Sequence, residues 1–315
     1  MEVRVESVRQ RAAAIRAYEL RPVGGGSLPP FTAGSHIDLC LPNGLVRAYS
    51  LCNAQSEVHR YVIAVSLDRS SAGGSRFMHE HVRGGDTLQV SSPRNNFPLY
   101  EGTAHSVLIA GGVGITPVWC MVQRLIELGS SWELHYCART RRDAIFVEEL
   151  EELTALRSCL VHLHFDDERG GRLLDVGSVV ASAPRDSHLY CCGPAGLLRA
   201  FEAASTGLSS EHVHVEYFEA RESAAISGGF VVVLARSGRR IEVKQGKTIL
   251  QAILEADIHV PHSCTEGTCG SCETAVIRGT PDHRDSVLSQ AERARNETMM
   301  ICCSGCIGDE LVLDL

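Results

Sequence analysis

The stretch CTEGTCGSC, Cys264 to Cys272, decides how the last third of this chain is read. Its three thiols, spaced C-x4-C-x2-C, cannot enclose an iron–sulfur cluster without a fourth. Plant-type [2Fe–2S] ferredoxins share this spacing and close it with a cysteine about thirty residues further on. The tail MMICCSGCIGDELVLDL, residues 299–315, offers Cys302, Cys303 and Cys306. Loop length C-x2-C-x29-C selects Cys302 and one residue more selects Cys303, so spacing alone does not separate them. If MMICC runs as an extended strand, the two adjacent thiols point to opposite faces and only one reaches iron. Gly267 and Gly270 let backbone amides approach inorganic sulfide closely. A zinc site would favour paired C-x2-C knuckles, and a redox disulfide an isolated C-x2-C.

Working outward, 315 residues with 44% hydrophobic content allow two or three domains with ample core. The formal charge of −8 divides as +2, −7 and −3 over residues 1–102, 103–229 and 230–315, so no segment is basic enough for nucleic acid. The N-terminal residues lack an apolar signal core and no window approaches 18 apolar residues, so neither secretion nor a membrane is expected. Thirteen cysteines, an odd number over a long chain, suit a reducing cytoplasm better than a disulfide framework.

In the first hundred residues VRVESV, HIDLCL, YVIAVSL and TLQVSS are short apolar stretches among PNG, GGD and RNN turn signals, which predicts a small antiparallel barrel. HSVLIAGGVGITPVWCMVQRLIELG, residues 105–129, reads as strand, glycine turn and helix. WELHYCA, LVHLHF and SHLYCCG repeat the strand type between the helical stretches FVEELEELTALR and GLLRAFEAAS, so the middle is a βα alternation on a parallel sheet. Pattern is lost around SAAISGG, and beyond it residues 230–258 read as hairpin then helix. The expected domains are 1–102, 103–222 and 230–315, with a linker at 223–229.

PHSCTEGTCGSCETAVIRGTPDHRDSVLS, MMICCSG and the closing LVLDL together resemble the ferredoxin domain of the phthalate dioxygenase reductase family, and upstream motifs extend the resemblance over essentially the whole chain. It implies an antiparallel β-barrel flavin domain, an α/β parallel-sheet nicotinamide domain and an α+β β-grasp ferredoxin domain. It also assigns Cys302, with Cys264, Cys269 and Cys272, to the cluster. RAYSL, residues 47–51, resembles the family's flavin strand: Arg47 would neutralise phosphate, Ala48 and Tyr49 would lie along the isoalloxazine, and Ser50 would hydrogen-bond near its redox-active nitrogen. Ala64, Val65 and Ser66 would also line the ring, and Gly73, Gly74 and Ser75 would cradle the phosphate at a helix start.

AGGVGITP, residues 110–117, lacks the third glycine of a dinucleotide fingerprint, and the next strand ends in Arg139 and Thr140 instead of an acidic ribose partner. In the resembling family this turn, with Gly112 and Gly114, passes under the pyrophosphate and nicotinamide, with Thr116 near the flavin and Pro117 in the first helical turn. YCARTRRDAIF would hold the adenosine end, YCCGP would bring Cys192 to the nicotinamide C4, and Glu216 and Phe218 would neighbour the flavin. Histidine pairs 162/164 and 212/214 share strand faces, but no third ligand recurs nearby in sequence, so packed or surface histidines are expected.

Together these imply a cytoplasmic, monomeric NADH oxidoreductase that passes electrons through FMN, with FAD as the alternative, to a [2Fe–2S] cluster and on to a terminal Rieske-type oxygenase acting on an aromatic compound. NADH gives two electrons as hydride while the cluster takes one, so a flavin must stand between them. A rival reading, a non-catalytic iron–sulfur and thiol redox sensor, is kept open by the nine cysteines outside the cluster set.

Overall fold

A computed structural model describes residues 1–68, 73–156 and 160–315, which form two compact units, Met1–Glu216 and Tyr217–Leu315. Arg157, at the end of an expected helix, and Cys159 lie outside the described residues.

The first unit begins with strands β1 (Glu2–Ala12), β2 (Ile15–Pro22), β3 (His36–Cys40), β4 (Val46–Ser50) and β5 (Tyr61–Ser66), helix α1 (Gly74–His81) and strand β6 (Thr87–Val90). These strands make one antiparallel sheet in the order β4-β3-β6-β1-β2-β5. A bridge between Leu51 and Ile63 joins its two edges, so the sheet closes into the expected barrel. Alternation drives the closure: Val3, Val5, Tyr18, Leu20, Ile37 and Leu39 point inward and are fully buried.

The same unit continues with β7 (Ser106–Gly111), α2 (Ile115–Leu128), β8 (Trp132–Ala138), α3 (Val147–Leu156), β9 (Val161–Phe165), α4 (Val176–Ser182), β10 (His188–Cys192), α5 (Ala195–Ala204) and β11 (Val213–Glu216). The five strands are parallel in the order β11-β10-β7-β8-β9. Leu108, Ala110, Leu134, Tyr136, Tyr190 and Cys192 join the α2 side chains and the barrel interior in one continuous core. Burial on both faces explains why β7 and β10 read as unbroken apolar runs.

The second unit carries β12 (Phe230–Leu234), β13 (Arg240–Val243), α6 (Ile249–Glu255), β14 (Glu273–Asp282), α7 (Gln290–Arg295), β15 (Thr298–Met300) and β16 (Gly305–Leu313). Its sheet runs β13-β12-β16-β14-β15, with β12 and β16 parallel and the other pairs antiparallel, the β-grasp arrangement. A capping box between Thr248 and Gln251 starts α6, whose Ile249, Leu250 and Ile253 fill the core. The segment read as a linker at 223–229 is held to this unit: Ala225 N–H donates to the Cys303 carbonyl at 2.7 Å and Gly229 N–H to Val243 at 2.8 Å.

Candidate functional site

In the first unit, the barrel motifs meet at the start of α1. Arg47 and Tyr49 stand half-buried on β4 and Ser50 is buried at its end; Ala48 pairs with Asp38 across β3. Gly74 opens α1 directly against Arg47: a Cβ there would lie 2.6 Å from the arginine Cγ and 2.9 Å from its Nε. Gly73 caps the helix with a φ of 94° and makes no side-chain cap, which sets the positive helix end beside a guanidinium. That cradle fits a phosphate. Ser75 Oγ is already engaged, accepting from Asp68 N–H at 3.2 Å. Ala64 and Val65 are buried on β5 and Ser66 partly so, and His79 Nε2 meets the Val65 carbonyl at 2.9 Å, which ties α1 to that strand.

The nicotinamide motifs also converge. A Cβ on Gly114 would lie 2.3 Å from the Cys192 carbonyl oxygen and 2.7 Å from Gly193 N, so the AGGVGITP turn and the YCCGP turn touch where only hydrogen fits. Thr116 is buried, its Oγ1 donating to the Val113 carbonyl at 2.9 Å. Cys192 and Glu216 are register partners on β10 and β11, with Cys192 Sγ 3.9 Å from Glu216 Oε2. Burial pushes the Glu216 carboxyl up to about 8 and drives the Cys192 thiol well above its ordinary range. The pair is therefore a neutral, proton-holding one at pH 7. Phe218 belongs to the second unit and is 41% exposed.

Sequence reasoning passed over Tyr136. Its hydroxyl donates to the Gly112 carbonyl and accepts from Ile145 N–H, each at 3.1 Å, and so fixes the glycine turn to the β8–α3 connection. Inward alternation of WELHYCA was the available signal.

In the second unit Cys264, Cys269, Cys272 and Cys302 are all at most 6% exposed. Backbone amides already point at sulfur: Cys264 N–H reaches Cys269 Sγ at 3.5 Å, and Glu266 N–H reaches Cys264 Sγ at 3.4 Å. The four thiols act on one another. Hydrogen bonding from Cys269 and then Cys302 holds Cys264 far below a free thiol, and Cys302 likewise lowers Cys272; Cys302 and Cys269 are in turn pushed up, chiefly by Cys264. Buried thiols that cannot all ionise together, ringed by N–H donors, fit a cationic iron–sulfur group that would let them.

The choice between Cys302 and Cys303 rests on a different geometry from the one expected. β15 ends at Met300 and residues 301–303 form a turn, so strand alternation does not separate the two thiols. Both are buried, but Cys302 bonds Cys264 and Cys272, whereas Cys303 sits beneath the loop, where a Cβ on Gly267 would lie 2.5 Å from its Sγ. Cys306 lies on β16. The unanticipated support is Asp285, fully buried in its side chain, which accepts from Val287 and Leu288 N–H at 2.9 and 2.7 Å; the neighbouring Ser286 N–H holds the Gly267 carbonyl at 2.8 Å.

A nicotinamide-type turn on a parallel sheet and a buried four-thiol loop in one chain define an iron–sulfur oxidoreductase. Residues 108–203 match the oxidoreductase NAD-binding domain family and residues 232–306 the 2Fe-2S iron-sulfur cluster binding domain family. The chain is 51% identical to phenoxybenzoate dioxygenase subunit beta of Ectopseudomonas oleovorans, covering 100% of this chain and 97% of the relative. It is 50% identical to tetrachlorobenzoquinone reductase of Sphingobium chlorophenolicum, covering 100% and 98%. Among solved structures, phthalate dioxygenase reductase, described as a modular structure for electron transfer from pyridine nucleotides to [2Fe-2S], matches at TM-score 0.74 and 38% identity over 100% of this chain and 98% of that one. An intact type IV self-sufficient cytochrome P450 monooxygenase matches at TM-score 0.90 and 37% identity, with this chain spanning 41% of its length. The chain belongs to the phthalate dioxygenase reductase family. It is an NAD-linked, [2Fe–2S]-carrying reductase, and the sensor reading finds no support.

Proposed function

We propose that the chain is the reductase component of a Rieske-type aromatic-ring oxygenase or demethylase system, a cytoplasmic monomer that draws electrons from NADH. The observation that carries the reading is the four buried thiols Cys264, Cys269, Cys272 and Cys302, linked by hydrogen bonds and joined in one chain to the Gly114–Cys192 turn pair. When bound, FMN would take the hydride of NADH and pass its two electrons singly to a [2Fe–2S] cluster held by the four thiols.

The chain's own residues bind, orient and hold protons. Arg47 and the Gly73–Ser75 helix start take the flavin phosphate, while Tyr49, Ser50, Ala64, Val65, Ser66 and Thr116 line the ring edge. Gly112 and Gly114 let the dinucleotide approach the backbone, and Cys192 and Glu216 hold a proton beside the nicotinamide. FMN is favoured over FAD because residues 91–100 present no evident adenosine platform: Phe97 is buried edge-on to Tyr190 at 5.7 Å, and the exposed Tyr100 stacks on His188 at 4.4 Å. Reduced cytoplasm is supported by cysteines that form no disulfide among the described residues, and no described helix is long and apolar enough to cross a membrane.

The relative named for a benzoquinone suggests a second reading, direct quinone reduction. Anaerobic mixing with NADH and a purified Rieske oxygenase from the same genome distinguishes them. Stoichiometric bleaching of the Rieske centre supports the oxygenase reading, whereas fast quinone turnover that survives loss of the [2Fe–2S] cluster, with no Rieske reduction, supports the other.

A further inference from the structure

We propose that Glu133, His135 and His162 form a divalent transition-metal site of the zinc class on the nicotinamide-binding sheet. Glu133 and His135 are two apart on β8 and share a face, and His162 on β9 is the register partner of His135, so all three project to one side. Each offers a ligand atom, and these atoms lie within 4.8 Å of one another; His135 Nε2 is 3.9 Å from Glu133 Oε1. Two donors held about 2.1 Å from a tetrahedral ion are separated by roughly 3.4 Å. His162 stacks on His135 with ring centroids 4.6 Å apart and an interplanar angle of 18°, so the exposed His162 ring turns out of that stack to close the difference and aim a nitrogen at the ion.

The surroundings orient His135. His164 Nε2 lies 3.3 Å from His135 Nδ1, which turns the opposite nitrogen of His135 toward Glu133, as an outer partner does for a metal-bound imidazole. Metal on Nε2 places the His135 proton on Nδ1, where His164 accepts it, and the exposed Arg169 then turns away from His164 Nδ1, which it now meets at 2.7 Å. A fourth imidazole, His105, sits on the same side of the sheet, and its enclosed Nε2 meets no partner among the described residues. The ionic partner of Glu133 among the described residues is His135. Two imidazoles and one carboxylate select Zn2+, Ni2+ or Co2+ over Mg2+ or Ca2+. Such an ion would fasten the edge strand β9 to β8 and leave one coordination position open.

Equilibrium dialysis of the holoprotein against Zn2+, with bound zinc counted by elemental analysis, tests this. Wild type should hold one equivalent whose affinity falls at least tenfold in Glu133→Gln and in His162→Ala, a surface change that leaves folding intact. His212→Ala, in the separate histidine cluster on the other edge of the sheet, should keep the equivalent, and Zn2+ should raise the melting temperature of wild type but not of His162→Ala. Identical zinc isotherms for wild type and His162→Ala, or loss of the equivalent in His212→Ala instead, would overturn the assignment.

Discussion

Replacing Gly114 by alanine is a clean probe of the Gly114–Cys192 turn pair, the proposed seat of the nicotinamide. Gly114 has an ordinary helical backbone with φ of −62°, so alanine adds no conformational strain there, only a methyl group. That methyl would lie 2.3 Å from the Cys192 carbonyl oxygen and 2.5 Å from its carbon, against a comfortable contact of about 3.5 Å, so the two turns must part by about 1 Å. The obstacle is backbone and has no rotamer by which to escape. A displacement of about 1 Å at a reacting geometry costs on the order of 100-fold, or about 2.7 kcal/mol in the barrier. Steady-state NADH oxidation with ferricyanide should therefore show kcat/KM reduced roughly 100-fold in Gly114→Ala, with flavin and cluster absorbance unchanged. Gly196→Ala is the control, because a Cβ there meets nothing within 4 Å, and its kinetics should match wild type. A Gly114→Ala enzyme within twofold of wild type would refute the close-approach argument.

Arg47→Ala removes a charge-assisted contact worth about 1.5–3 kcal/mol, so flavin affinity should fall roughly ten- to hundredfold while the cluster spectrum stays; full flavin retention after dialysis would count against the phosphate cradle. Glu216 has a folded-state pKa of about 8, raised from an ordinary carboxyl value of 4.5, so the fold holds a proton that the unfolded chain gives up. Its contribution is fully present below pH 4.5 and is lost as pH rises toward 8. Glu216→Gln should flatten that part of the melting-temperature profile, and an unchanged slope between pH 5 and 8 would contradict the burial. Cys303→Ser should retain full iron content, because its thiol touches Cys302 but neither Cys264 nor Cys272, and iron analysis checks it.

The cluster loop was legible because ligand spacing is a local property: C-x4-C-x2-C must wrap something, and glycines at Gly267 and Gly270, with φ of 76° and 75°, mark the sharp turns. The barrel and parallel sheet were legible from period-2 alternation and from apolar runs alternating with helices. The fourth thiol was not legible from strand alternation, because the chain turns at 301–303 immediately after Met300, and a turn puts neighbouring side chains on one side. The histidine cluster was missed for a related reason. The partners of His162 are Glu133 and His135, which parallel pairing brings alongside from a strand 27 residues earlier, and no window of sequence contains all three. Tyr136 and Asp285 escaped because each supports a site by holding backbone, and a buried tyrosine or aspartate leaves no spacing signature. The packing of Gly74 on Arg47 is likewise a tertiary contact between motifs that sequence could only name separately.

The central claim is that electrons leave through a cluster held by Cys264, Cys269, Cys272 and Cys302, and one anaerobic measurement on Cys302→Ser tests it most directly: NADH is mixed with the variant while flavin absorbance and cytochrome c reduction are followed together. Flavin should bleach at the wild-type rate with cytochrome c reduction abolished and iron content lost. Wild-type cytochrome c reduction with a full complement of iron would contradict it.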